Sequence, residues 1–137
     1  MYQAVLHDVV QALGDQAGMD SGVFSALAYL ERAEPSHRMR MSELQSLMHP
    51  RYSQPGFSRL VQRMEADGLV GRRPDPADRR AVILATTPLG RHSYERANAV
   101  YHAAVEEHFG RHLTTSEGAA ITRALAKVEQ RRRALTT

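Results

Sequence analysis

The sequence predicts a mostly α-helical chain built around a winged helix-turn-helix, with a small β-wing and terminal helices that form a dimerisation unit. Two short helical patterns separated by a turn, Ser42–Pro50 and Ser53–Asp67, supply the helix-turn-helix. Two strand-like runs on either side of a charged loop, Leu69–Arg73 and Ala81–Ala85, supply the wing. Charge is the third observation. Between Arg51 and Arg80 stand seven arginines (51, 59, 63, 72, 73, 79 and 80) against four acids, Glu65, Asp67, Asp75 and Asp78. The rest of the chain holds eleven basic and eleven acidic residues. The formal excess of +3 therefore belongs to this one segment, as expected of a face that meets a polyanion such as duplex DNA.

At 137 residues the chain has room for one domain with a real core and is too short for two. We expect a single domain over residues 1–137, with 20–87 as the DNA-binding part and 1–19 and 88–137 as dimerisation helices. Arginine supplies seventeen of the eighteen basic side chains and Lys127 the other. That suits bidentate contacts to phosphate and guanine, and codon bias explains it equally well. There are no cysteines, which excludes disulfides, thiolate metal sites and thiol-based redox sensing, and fits a reducing compartment. No apolar run approaches the roughly 18 residues of a membrane span, and no charged-then-apolar leader opens the chain. A cytoplasmic location with no membrane partner is expected. No nucleophile motif, phosphate-binding glycine loop or convergent carboxylate pair is visible, so the chain reads as a non-enzyme with no cofactor.

The elements come in order. A first helix over Tyr2–Ala17 carries Val5, Val9 and Leu13 in one row with Leu6 and Val10 beside it, and ends at Gly18. Asp20 or Ser21 caps a second helix holding Phe24, Leu27, Ala28 and Leu30, which runs toward Pro35. Arg38–Met41 alternates as a short strand. Ser42 is expected to cap a third helix, with Leu44, Leu47 and Met48 facing inward and Pro50 ending it. Ser53 caps the fourth, Pro55 is tolerated in its first turn, and Asp67-Gly68 closes it.

On that fourth helix Phe57, Leu60, Val61 and Met64 follow the i, i+3, i+4, i+7 rule and must face the core. The opposite face then carries Pro55, Ser58, Arg59, Gln62 and, to one side, Arg63. Ser53, Gln54 and the free N–H groups of the helix start can hold a phosphate. Polar faces of this kind are by default solvated, and it is the adjoining hairpin that selects the DNA-facing reading. Its two prolines and two aspartates predict a stiff loop over Pro74–Arg80, with Arg72 and Arg73 at the entry and Arg79 and Arg80 at the exit. An arginine at such a tip can enter a narrow minor groove. Asp78 repels phosphate, so its expected task is to pair with a nearby arginine and fix its direction.

These strings resemble the multiple antibiotic resistance regulator (MarR) family. The matching residues are Ser42-Glu43-Leu44, Ser58-Arg59-Leu60-Val61, Met64-Glu65, Gly68-Leu69-Val70, the wing Arg72-Arg73-Pro74-Asp75-Pro76-Ala77-Asp78-Arg79-Arg80, and Thr87-Pro88-Leu89-Gly90. The resemblance is specific over about Asp20–Arg96. It implies a homodimer on a pseudo-palindromic operator, released by a small-molecule effector. Two departures stand out. The turn His49-Pro50-Arg51-Tyr52 is about two residues longer than the family's and lacks its glycine. The N-terminal cysteine of peroxide-sensing members is absent, so that route of sensing is excluded.

After Thr87 and Pro88 a long helix is expected to run to about His112, with Tyr94, Ala97, Tyr101, Ala104, Val105 and Phe109 on its apolar face. Thr114 and Glu117 form a capping box that starts a last helix with the stripe Ile121, Leu125 and Val128. Amphipathic first and last helices suggest an intertwined dimer interface, with packing inside the protomer as the alternative use of both stripes. The run Arg131-Arg132-Arg133 reads as a solvated tail. His108 and His112 are four apart, a spacing that can hold zinc if further ligands arrive from His7, His37, His49, His92 or His102. The expected function is a ligand-responsive, DNA-binding transcriptional regulator that partners double-stranded DNA, a second copy of itself and a small-molecule effector. A zinc-responsive regulator on the same scaffold and a sequence-tolerant architectural DNA binder are the alternatives.

Overall fold

Two helices open the chain, α1 (Tyr2–Ala17) and α2 (Ser21–Arg32), in a computed structural model that describes the backbone of residues 2–136 and the side chains of residues 6–135. Asp20 is the N-cap of α2, and its Oδ1 accepts hydrogen bonds from the Gly22 and Val23 amides at 2.7 and 3.4 Å. A short strand β1 (Arg38–Arg40) leads straight into α3 (Met41–Met48), and α4 (Gln54–Ala66) comes next. The wing strands are β2 (Val70–Asp75) and β3 (Asp78–Thr86), and α5 (Pro88–His108) and α6 (Thr115–Thr136) complete the chain after a 3-10 turn at Gly110–His112.

The sheet is antiparallel with strand order β1-β3-β2. Helices α2, α3 and α4 pack around Leu27, Leu30, Leu44, Phe57, Leu60, Val61 and Met64, each at 1% exposure or less, and β3 adds Leu84 to them. Each such side chain contributes about 1.5–3 kcal/mol of burial energy. Phe24 stacks on Tyr94 of α5 at 5.4 Å between ring centroids and lies 5.0 Å from Tyr101, which ties the long helix to this core.

Several expectations are corrected. Ser42 does not cap α3. Arg40 holds the N-cap position without a side-chain capping hydrogen bond, because β1 runs directly into the helix at Met41. Leu47 is 47% exposed, so Leu44 and Met48 are the buried anchors of this two-turn helix, with Met41 packed against the same core. Val9 and Leu13 are buried within the protomer, where α1 packs along α5, and Leu6 and Val10 are the large apolar side chains of α1 left in solvent among the described residues. Val5, expected in the buried row, lies outside the described side chains. The long helix ends at His108 rather than His112, since Phe109 adopts φ −138°, ψ −61°.

The joint between the wing and α5 is tight. Thr87 caps α5 through its Oγ1, which accepts the Gly90 amide at 2.9 Å and donates to the Gly68 carbonyl. Its own amide donates to the Leu69 carbonyl at 3.0 Å. A Cβ at position 90 would lie 2.0 Å from that same Leu69 oxygen, so only glycine fits. The capping box of α6 is complete: Glu117 accepts the Thr114 amide at 3.0 Å and Thr114 Oγ1 accepts the Glu117 amide at 3.2 Å.

Candidate nucleic-acid interface

Helix α4 presents its polar face as the periodicity requires. Phe57, Leu60, Val61 and Met64 are each 1% exposed, whereas Gln54, Pro55, Ser58, Arg59, Gln62 and Arg63 all reach solvent. Ser53 is the N-cap and accepts the Gly56 amide at 3.2 Å, with Pro55 in the first turn. The helix closes in a Schellman motif. Gly68, at φ +73°, donates to the Glu65 carbonyl at 3.0 Å, and Leu69 donates to Met64 at 2.9 Å. The polar side chains thus sit on a helix whose two ends are both fixed.

The long turn before α4 is docked on α2. Arg51 donates through Nη1 to Ser25 Oγ at 3.2 Å and through Nη2 to Ser21 Oγ, and its guanidinium lies 5.5 Å from the Tyr52 ring centroid. Gly22 leaves the space that the Tyr52 hydroxyl fills. Arg51 and Tyr52 thereby hold the turn against the body of the domain.

The wing is longer and tighter than expected. Its strands run on through Pro74 and Asp75, and the turn is only Pro76-Ala77, not the loop Pro74–Arg80. The physical reason is strand order. β2 lies at the sheet's edge, the position at which a strand tolerates a proline because one of its sides has no ladder to complete. Arg73, Arg79 and Arg80 are exposed along this hairpin. Two other charged residues of the wing are engaged within the protein. Arg72 donates through Nε to Glu65 Oε1 of α4, which makes it a strut between helix and wing. Among the described residues Asp78 pairs with no guanidinium; its Oδ1 accepts the backbone amide of Arg80 at 3.0 Å.

Asp75 does what Asp78 was expected to do. It is the buried charged residue of the described chain, at 7% exposure, and its Oδ2 lies 2.7 Å from Arg40 Nη2. Arg40 was not singled out from the sequence, because the pair joins residues far apart in the chain and only the pairing of β1 with β3 brings them together. The alternation Arg38-Met39-Arg40 was the available signal.

The histidine pair is not formed as spaced. His108 ends α5 with Nδ1 3.6 Å from Asp8 Oδ2, while His112 lies beyond the break in the 3-10 turn. Among the described residues no group of three or more metal-ligating side chains is gathered. A cleft of about 300 Å³ opens between the α1–α2 connection, the end of α4 and α5. Met19, Val23 and Leu69 line it on the apolar side and Arg63, Asp67 and Arg96 on the polar side. Arg63 thus borders this cleft from the last turn of α4.

A capped helix with an apolar inner face and a polar outer face, followed by a basic hairpin tied to it, defines a winged helix-turn-helix DNA-binding protein. The family model of the MarR family matches residues 17–81. Over those residues, which take in most of the winged helix-turn-helix, the chain is similar to the MarR family. Its structure is similar to AbsC, a MarR family transcriptional regulator from Streptomyces coelicolor, with TM-score 0.80 and 25% identity over 97% of this chain and 87% of that one. It is also similar to Sco3205 of the same organism, solved in complex with DNA, with TM-score 0.79 and 23% identity over 94% of this chain and 82% of that one. A third similar structure is BpsR of Bordetella bronchiseptica, whose DNA binding is regulated by 6-hydroxynicotinic acid, with TM-score 0.74 and 24% identity over 93% and 86%. No curated protein matches the sequence. Among the described residues, no helix is long and apolar enough to cross a membrane.

Proposed function

We propose that the protein is a ligand-responsive transcriptional regulator that binds a pseudo-palindromic operator as a homodimer. The observation that carries this reading is the apolar surface on the terminal helices. Leu6 and Val10 of α1 and Leu125 and Val128 of α6 are all exposed, outside the DNA-binding segment. Nearly every described side chain of α6 lies in solvent, and a lone helix of its length gains little stability without packing. A second copy laid against these stripes supplies that packing by a symmetric contact. Two recognition helices then address half-sites with centres about one helical turn, roughly 10 bp, apart.

On each half-site, Ser53, Gln54, Pro55, Ser58, Arg59 and Gln62 are assigned to the major groove and the adjoining phosphates. Arg73, Arg79 and Arg80 are assigned to the flanking minor groove. The effector is assigned to the cleft beside Arg63 and Arg96, whose volume lies at the lower end of small-ligand sites and whose guanidiniums suit a carboxylate. An occupant there touches the recognition helix directly through Arg63, and the regulation of the similar BpsR by an aromatic acid supports this chemistry.

Sedimentation at micromolar concentration, together with footprinting on the DNA upstream of the protein's own gene, tests the reading. A dimer and two protected half-sites about one turn apart are expected. A monomer that binds one site specifically overturns it. The ratio of operator to random-DNA affinity at fixed salt separates it from an architectural binder.

A further inference from the structure

We infer that Arg40 and Asp75 are positioning residues for the wing, an ion pair that sets how the hairpin arginines enter the groove. The inference rests on the reading that the wing meets DNA.

The Asp75 carboxylate is divided between two tasks. Oδ1 accepts the Ala77 amide at 2.9 Å and so shapes the tip turn, while Oδ2 holds Arg40 Nη2 at 2.7 Å. Arg40, Ile83 and Arg73 stand in register across the three strands, and Asp75 follows Arg73 by two residues, so the pair reaches diagonally over β3. The ladder is irregular between Pro74 and Asp75, where a bulge re-aims the strand. An aspartate beside so many arginines opposes phosphate binding unless it is neutralised. Here it is nine-tenths out of solvent and paired.

Registry also separates the two charged struts of the wing. Arg72 pairs with Leu84 in the ladder and Arg40 with the adjacent Ile83, so they lie on opposite faces of the sheet. Arg72 grips α4 through Glu65 from one face, and Arg40 grips the tip through Asp75 from the other. A two-stranded ribbon alone twists and flexes. Held from both faces, it carries Arg79 and Arg80 in one orientation, with the Arg80 amide further fixed by Asp78. Groups ordered before binding lose less freedom on binding, which is how a residue that touches no base raises affinity.

The test is a double-mutant cycle on operator binding at fixed salt. Arg40→Gln removes the charge from a half-exposed side chain, so the fold is kept, and melting of each variant checks this. We expect Arg40→Gln to weaken operator binding about tenfold, and Arg80→Ala to weaken it about tenfold in the native background but less than about twofold in the Arg40→Gln background. Hydroxyl-radical protection of the flanking minor groove should fade in Arg40→Gln, while methylation protection of guanines in the major groove persists. Arg40→Lys keeps a cation and should restore most of both, which a loss of general stability would not explain. Equal effects of Arg80→Ala in the two backgrounds overturn the inference while the wing reading stands. No effect of Arg80→Ala in the native background overturns both.

Discussion

Arg72 and Glu65 join the wing to the recognition helix: the guanidinium of the first wing strand donates to a carboxylate in the last turns of α4. An arginine that charge density assigns to DNA is therefore engaged within the protein. Both partners are partly exposed, which limits the pair's contribution to about 1 kcal/mol or less. Its proposed effect is geometric, because a helix assigned to one groove and a hairpin assigned to the next must keep a fixed separation.

Glu65→Gln should accordingly lower thermal stability only slightly, by up to about 1 kcal/mol. Operator affinity should fall by more than that loss of stability explains, although the variant gains net positive charge. A rise in affinity, as simple electrostatics would give, would show that Arg72 is a phosphate contact after all. Calorimetry and a binding isotherm on the same preparation separate the outcomes.

Arg59 lies on the exposed face of a helix whose opposite face is fully buried. If it reads bases, Arg59→Ala relaxes preference at one symmetric pair of operator positions by about 1–3 kcal/mol. If it holds phosphate, affinity falls about equally on all sequences and the salt slope shrinks by roughly one. We expect the first. Neither effect would mean that another helix enters the groove.

Gly90→Ala should destabilise the fold by about 1–3 kcal/mol or more, because the new Cβ meets backbone oxygen that Thr87 also holds. The midpoint of thermal unfolding should drop by several degrees. A variant that melts with the native protein would contradict the close approach at this joint.

Leu125→Glu places a charge on the exposed stripe of α6 without touching Arg59 or Arg80. A surface leucine of a monomer tolerates this change within about 0.5 kcal/mol. In the proposed homodimer it should abolish association and operator binding together, and sedimentation beside the native protein reads the difference.

Local chemistry was legible in the sequence wherever it needs only neighbours. The buried row of α4, the caps Asp20, Ser53, Thr87 and Thr114, and the Gly68 terminator are set by spacing and by single side chains. What escaped depends on partners distant in the chain. The pairing of β1 with β3 starts α3 two residues early and delivers Arg40 to Asp75; the alternation Arg38-Met39-Arg40 signals a strand but not its partner. Edge position rather than composition lets β2 continue through Pro74. Periodicity says that Val9 and Leu13 form a row, but not whether its cover comes from α5 or from another chain.

The joint at Thr87 makes a lever of α5. Gly68 closes the recognition helix, Thr87 opens α5, and their direct bond with the close approach at Gly90 leaves no slack between the two helices. Helix α5 has 21 residues, an arm about 32 Å long at about 1.5 Å per residue. A shift of about 3 Å at its far end corresponds to a turn of the winged helix-turn-helix by about 5° on that arm length. Displacements no larger than a bond or two at the far end thus become changes in the pitch of the recognition helix.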